Sequence, residues 1–114
     1  MVFTYPEIAS CGKTEEDCRR EKISYKIGLC ENKNNPRGKC TQEDDGFVKL
    51  IVDRNSNVIL GVHIIGPQAG EQIMEGVMCL EFGAKVDLIR RVSHFHPSYS
   101  EAFKEAANLA FESK

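Results

Sequence analysis

The apolar positions change period along the chain, and those changes mark out its elements. Val2-Phe3-Thr4-Tyr5-Pro6 is a β-prone run that Pro6 confines to the end or edge of a strand. Thr14 follows as an N-cap, with Asp17 in a capping-box position and Glu15 and Glu16 at the positive end of the dipole, which predicts a short helix from about Glu15 to Lys22. Ile23 to Cys30 alternates as a strand does. Glu31 to Asp45 is polar, and Asn34-Asn35-Pro36 and Gly38 predict that it lacks regular structure.

The clearest local signal comes next. Phe47-Val48-Lys49-Leu50-Ile51-Val52 and Val58-Ile59-Leu60-Gly61-Val62-His63-Ile64-Ile65 flank the turn formers Asp53-Arg54-Asn55-Ser56-Asn57, which predicts a hairpin with a longer loop. Few polar side chains interrupt either strand, so both faces of the sheet are expected to be covered. Gly66-Pro67 ends the second strand, and Gly70 is placed in the turn that follows. Between Glu71 and Phe82, Ile73, Val77 and Leu80 fall at helical spacing, Met74 and Met78 widen the stripe, and Gly83 suits the position after the helix. A short helix from Val86 to Val92 and a last one from about Tyr99 to Phe111 complete the chain. The sum is an α+β fold, an antiparallel β-sheet with helices packed on it.

Composition narrows what such a fold can do. At 114 residues there is room for one domain. Fifteen Lys and Arg against 17 Asp and Glu leave a net charge of −2, which supplies no basic field for nucleic acid or an anionic membrane. No apolar stretch approaches the ~18 residues of a membrane span, and the first residues lack a signal-peptide layout. The five cysteines (Cys11, Cys18, Cys30, Cys40 and Cys79) are odd in number in a chain of regular elements. That predicts reduced thiols, no disulfide and a reducing intracellular compartment. Zinc could draw on Cys11, Cys18, His94 and His96, but only His94-Phe95-His96 has ligand-like spacing, so no metal site is expected.

The densest chemistry is His94-Phe95-His96-Pro97-Ser98-Tyr99-Ser100-Glu101-Ala102. Pro97 drives His96 out of the α region, so its imidazole leaves the chain at a bend just before a helix. Glu101 lies in the first turn of that helix, near enough to hold one ring nitrogen and raise the basicity of the other, as in a general acid/base. The same residues also spell a capping box, Ser98-x-x-Glu101, which needs neither histidine nor catalysis. Spacing alone leaves both readings open. His94 reads as structural, and His63 as a packed or edge residue of its strand.

His96-Pro97-Ser98-Tyr99-Ser100-Glu101-Ala102-Phe103-Lys104-Glu105-Ala106 resembles the signature that ends the interface domain of the flavin-dependent pyridine nucleotide–disulfide oxidoreductases, in particular their dihydrolipoamide dehydrogenase branch. Phe3-Thr4-Tyr5-Pro6-Glu7-Ile8-Ala9 resembles the opening strand of that domain. Asp45-Gly46-Phe47-Val48-Lys49 and Ile59 through Glu71 resemble its central hairpin and following helix, so the likeness runs in order along nearly the whole chain. Ser98 stands where many relatives have Thr, and His94 matches a histidine common in the lipoamide branch.

The resemblance implies that residues 1–114 are a single C-terminal dimerisation (interface) domain. The FAD- and NAD-binding domains are absent from the chain, which has no G-x-G-x-x-G and no C-x-x-x-x-C. It implies that His96 passes a proton to and from a substrate dithiol, that Glu101 holds His96, and that His96 and Pro97 reach the flavin of the other subunit. FAD and NAD would belong to a full-length enzyme that oxidises protein-bound dihydrolipoamide, with none bound by this chain, which alone would be inert. Its partners would be a second copy, as a homodimer, and the lipoyl domain of a 2-oxo acid dehydrogenase complex or glycine cleavage system, in the mitochondrial matrix or cytoplasm. A glutathione- or trypanothione-type reductase is the near alternative, since those endings also carry a His-Pro and a glutamate; Ser100-Glu101-Ala102-Phe103 leans toward lipoamide. A free-standing dimerisation module and a small metal-binding protein are the other classes. The apolar helix bearing Met74, Val77, Met78 and Leu80 is predicted to self-associate about a two-fold axis.

Overall fold

A computed structural model describes residues 1–42 and 44–113. Four strands, β1 (Glu7–Gly12), β2 (Tyr25–Glu31), β3 (Phe47–Asp53) and β4 (Ile59–Gly66), form one antiparallel sheet in the order β1-β4-β3-β2. Helix α1 (Glu15–Arg20) joins β1 to β2, and α2 (Pro36–Thr41) lies between β2 and β3. Three helices follow β4: α3 (Ala69–Glu81), α4 (Val86–Arg91) and α5 (Glu101–Glu112). The expected α+β class and hairpin are both present.

Register decides which side chains form the core. Val48 faces Ile64 and Cys30, and Leu50 faces Val62 and Gly28, so these residues share one face with Ala9 and Val52. Helix α3 crosses β1 and β4 on that face, while α5 crosses β2 and β3. Two glycines let the helices sit close. A Cβ on Gly76 of α3 would lie 2.9 Å from Val62 Cγ2, and one on Gly28 of β2 would lie 1.9 Å from the Ala106 carbonyl of α5. The α5 side of that contact is built from Ala102, Phe103, Ala106, Ala107 and Ala110, all buried.

The other face departs from expectation. Helix α1 covers one end of it, with Cys18 fully buried and Glu15 paired to Lys49 and Tyr25. Six residues of helix span only about 9 Å, so Ile8 and Leu29 at the open end remain exposed. Only one face is fully covered.

Three local expectations also shift. The strand predicted over Val2–Pro6 begins instead at Glu7. Proline has no N–H for a ladder, and Val2 makes only an isolated bridge to Ile8 (2.7 and 3.1 Å) while the Thr4 hydroxyl donates to the Pro6 carbonyl at 2.6 Å. Strand β2 starts at Tyr25 rather than Ile23, because the Ile23 N–H bonds back to Cys18 O at the end of α1. The polar stretch from Glu31 contains a 3₁₀ turn, Asn32–Asn34, and helix α2. Buried Asn35 caps α2 by accepting from the N–H groups of Arg37 and Gly38 at 2.9 and 3.0 Å, and Pro36 occupies the first helical position.

Candidate functional site

Helix α1 shows what a complete capping box looks like: the Asp17 N–H donates to Thr14 Oγ1 and the Thr14 N–H donates to Asp17 Oδ2, both at 3.0 Å. At α5 the corresponding residues divide their work. Glu101 Oε2 accepts from the Ser98 N–H at 2.9 Å, but the Ser98 hydroxyl donates to the Phe95 carbonyl at 2.7 Å rather than capping the helix. The N-cap is Ser100, with no side-chain cap bond, so the box predicted at Ser98 and Glu101 is half formed. The other carboxylate oxygen, Oε1, accepts from His96 Nδ1 at 3.0 Å. Glu101 thus holds His96 with one oxygen and ties down the Ser98 N–H of the preceding turn with the other, rather than capping α5 at Ser100.

That bond has a chemical consequence. A carboxylate oxygen accepts, so the ring proton sits on Nδ1 and the Nε2 lone pair is free. The His96 side chain is 69% exposed, and its Nε2 has no partner among the described residues. Burial pushes the Glu101 carboxyl up, but the Ser98 N–H, the His96 bond and the nearby charges of His96 and His94 outweigh it, so it lies below the usual carboxylate value. Glu101 therefore stays charged opposite the ring.

The turn that carries His96 is pinned from α2, a contribution the polar pattern concealed. Asn35 Nδ2 donates to the carbonyls of Ser98 and Tyr99 at 3.1 and 3.4 Å, and Thr41 Oγ1 lies 2.8 Å from the Tyr99 hydroxyl. The Asn-Pro pair at a helix start was the available signal. His94, read as structural, is tucked in against Glu75 of α3. His63 packs on its sheet face, with Nδ1 3.0 Å from Ser10 Oγ and Nε2 2.9 Å from the Lys13 carbonyl. Pro97, half-buried, follows His96 at the exposed turn.

The five cysteines are free. Burial pushes the Cys30 and Cys79 thiols up to about 11, with Glu105 adding to the effect at Cys30 and Glu75 at Cys79, so both are protonated and unreactive at neutral pH. Among the described residues no group of three His, Cys, Asp or Glu side chains could hold a metal ion, and no helix is long and apolar enough to cross a membrane. On α3, Met74, Val77 and Met78 face outward as predicted, whereas Leu80 packs against the core and the exposed Phe82 extends the apolar face instead.

The comparisons with known proteins agree with one another. Residues 1–107 match the family model of the pyridine nucleotide-disulphide oxidoreductase dimerisation domain. The chain is 47% identical over 110 residues to the mitochondrial dihydrolipoyl dehydrogenase of Caenorhabditis elegans, covering 96% of this chain and 22% of that protein. It is 45% identical over 112 residues to dihydrolipoyl dehydrogenase 2, mitochondrial, of Arabidopsis thaliana, covering 98% and 22%. Among solved structures, LpdA from Mycobacterium tuberculosis superposes with a TM-score of 0.87 at 26% identity over 93% of this chain and 23% of that one. The Cu(II) complex of the HOCl-induced flavoprotein disulfide reductase RclA from Escherichia coli gives 0.89 at 25% identity over 94% and 24%. The chain spans about 22% of the length of the curated relatives it matches. The chain belongs to the pyridine nucleotide-disulphide oxidoreductase family, of which it carries the dimerisation domain.

Proposed function

We propose that the chain supplies the acid/base histidine and the dimer contact of a dihydrolipoamide dehydrogenase, a flavoenzyme that oxidises protein-bound dihydrolipoamide and reduces NAD. The observation that carries this reading is the divided Glu101 carboxylate, which fixes the His96 proton on Nδ1 and leaves Nε2 open. The names of the curated relatives favour lipoamide over the glutathione- or trypanothione-type alternative.

In the reaction, His96 Nε2 takes the proton of one substrate thiol as its sulfur attacks a cysteine of an enzyme disulfide located outside this chain. A substrate–enzyme S–S bond forms, the enzyme S–S bond breaks, and the electron pair leaves on the second cysteine. Glu101 stabilises the imidazolium so formed. The second substrate thiol then displaces the first cysteine and closes the substrate disulfide, its proton passing to the departing cysteine thiolate. In the complete enzyme, FAD would supply the redox chemistry that links the cysteine dithiol to NAD.

The chain has neither a dinucleotide fingerprint nor the cysteine pair, so it holds no FAD or NAD of its own in this reading. What it offers is the exposed turn of Phe95, His96 and half-buried Pro97, which suits a group that reaches the flavin of a partner subunit. The homodimer forms through the apolar face of α3, the lipoyl domain of a 2-oxo acid dehydrogenase complex or glycine cleavage system presents the dithiol, and the enzyme works in the mitochondrial matrix or cytoplasm, the word mitochondrial in the names of two relatives supporting the former. In the complete enzyme, His96→Gln lowers dithiol oxidation about 10²–10⁴-fold and leaves flavin content and melting temperature unchanged. Near-normal turnover overturns the assignment.

A further inference from the structure

The chain between α4 and α5, residues 92–100, carries His96 at its middle. In its first half only one side chain turns inward. Val92, Ser93, Phe95 and His96 are exposed, Phe95 to 77%, whereas the His94 side chain is 6% exposed. Two contacts hold that ring: Nε2 lies 2.6 Å from Glu75 Oε2, and Nδ1 lies 3.2 Å from the Val92 carbonyl. Both partners are oxygens that accept, so each ring nitrogen lies beside an acceptor. Glu75 in turn stands on α3, whose Ile73, Gly76 and Cys79 are buried against the sheet.

Beyond His96 the chain is fixed again at Ser98, through the Asn35, Glu101 and Phe95 bonds described above. His96 therefore hangs between two anchored residues, each two positions away, one tied to α3 and the other to α2 and α5. His94 and Glu101 also border the same cleft of ≈ 410 Å³.

We propose that the Glu75–His94 pair is a positioning device for the acid/base: it fixes the upstream end of the turn, so that His96 meets Glu101 and presents Nε2 in one orientation. Glu75 and His94 act through His96 and touch no reacting atom. The physical reason is that the His96 side chain is 69% exposed and its ring is tethered by one hydrogen bond among the described residues, to Glu101. An imidazole free to swing loses the near-attack geometry on which proton transfer depends. This inference rests on the reading of His96 as the acid/base.

The test uses the complete flavoenzyme with dihydrolipoamide and NAD. Glu75→Ala and His94→Ala are each expected to lower kcat about ten- to hundredfold, the range for groups that orient a functional residue, with KM and flavin content unchanged. Glu75→Gln, whose amide oxygen still accepts from Nε2, restores kcat to within about threefold of wild type, as one neutral hydrogen bond replaces a charged one. In a His96→Gln background, Glu75→Ala adds no further loss, since there is no base left to position. Wild-type kcat in Glu75→Ala, or a loss that multiplies that of His96→Gln, overturns the proposal. If His94→Ala does not fold, the Glu75→Ala and Glu75→Gln pair decides the matter alone. If His96→Gln itself turns over normally, the acid/base reading fails and the positioning role falls with it. If His96→Gln is slow and Glu75→Ala is not, only the positioning role falls.

Discussion

Two helices of this domain begin with the same pattern, a hydroxyl residue followed three positions later by an acid, and they use it differently. At α1 the Thr14–Asp17 box is reciprocal, and Asp17 spends its remaining oxygen on Arg20 at 2.8 Å. Every bond there is local and serves the helix. At α5 the Ser98 hydroxyl turns away to Phe95, and Glu101 keeps one backbone bond while its other oxygen reaches back to His96. The second helix start gives up one cap bond and gains a held imidazole. A polar pattern that stabilises a helix in one place thus organises a candidate active site in another, and the difference lies in what the preceding turn places within reach.

The sharpest way to break this comparison is to remove each acid or hydroxyl and read rate and stability together. Glu101→Ala is expected to slow dithiol oxidation about ten- to hundredfold, because the ring loses its holder. It also lowers stability by about 1 kcal/mol, because the Ser98 N–H loses its acceptor. Thr14→Ala is expected to cost about 1 kcal/mol by thermal unfolding, the usual cost of an N-cap, and to leave turnover at the wild-type rate. A rate loss in Thr14→Ala, or none in Glu101→Ala, erases the distinction between the two sites.

Glu101→Gln is a gentler cut. Gln has one carbonyl oxygen, which can still accept from the Ser98 N–H and keep the turn, but the ring then loses its acceptor and the imidazolium its counter-charge, so the rate falls by several-fold, less than for Glu101→Ala. If Glu101 served only as a cap, this variant would be silent in rate, since Gln also serves in a capping box.

The smallest expected effect is in titration. Both carboxyls lie below their ordinary values of 3.8 and 4.5. For Asp17 the main cause is the Thr14 N–H; for Glu101, burial raises the value but is outweighed by the Ser98 N–H and His96. A lowered folded value means that each group stabilises the fold above its ordinary pKa and loses that contribution as pH falls through the folded one. NMR titration of the two side chains checks this directly. His96→Gln should raise the Glu101 value, because burial is then less opposed, and should leave Asp17 where it was. Equal movement of both would show that the shift does not come from the ring.

The two capping patterns also show how far the chain's own order of residues can be read. The Thr14–Asp17 box, the β3–β4 hairpin and the α3 stripe are local in sequence, and period and turn chemistry suffice to place them. The Asn35 cap was missed because its Asn-Pro signal lies in a polar stretch, and its reach to Ser98 spans 63 positions. The Val2–Pro6 run misled because strand propensity says nothing about where a ladder finds its N–H donors, and the first of them lies beyond Pro6. Leu80 misled for a related reason: helical spacing marks an apolar stripe, but only the seating of α3 on β4, set by Gly76 against Val62, shows which edge of the stripe faces the sheet.

By itself, the sequence determined the α+β class, the antiparallel hairpin and the helix that carries Glu101, and it put Glu101 within reach of His96, since each rests on periodicity or on spacing within five residues; the bond itself came from the structure. Tertiary structure alone decided that one sheet face stays partly open, that Asn35 fixes the site turn, that the Ser98 box is half made, and that His94 is locked to Glu75 across 19 positions. Those features depend on how helices are seated on the sheet, and seating is fixed by register and by the close approach of Gly28 and Gly76 to their neighbours, distances that no local pattern encodes.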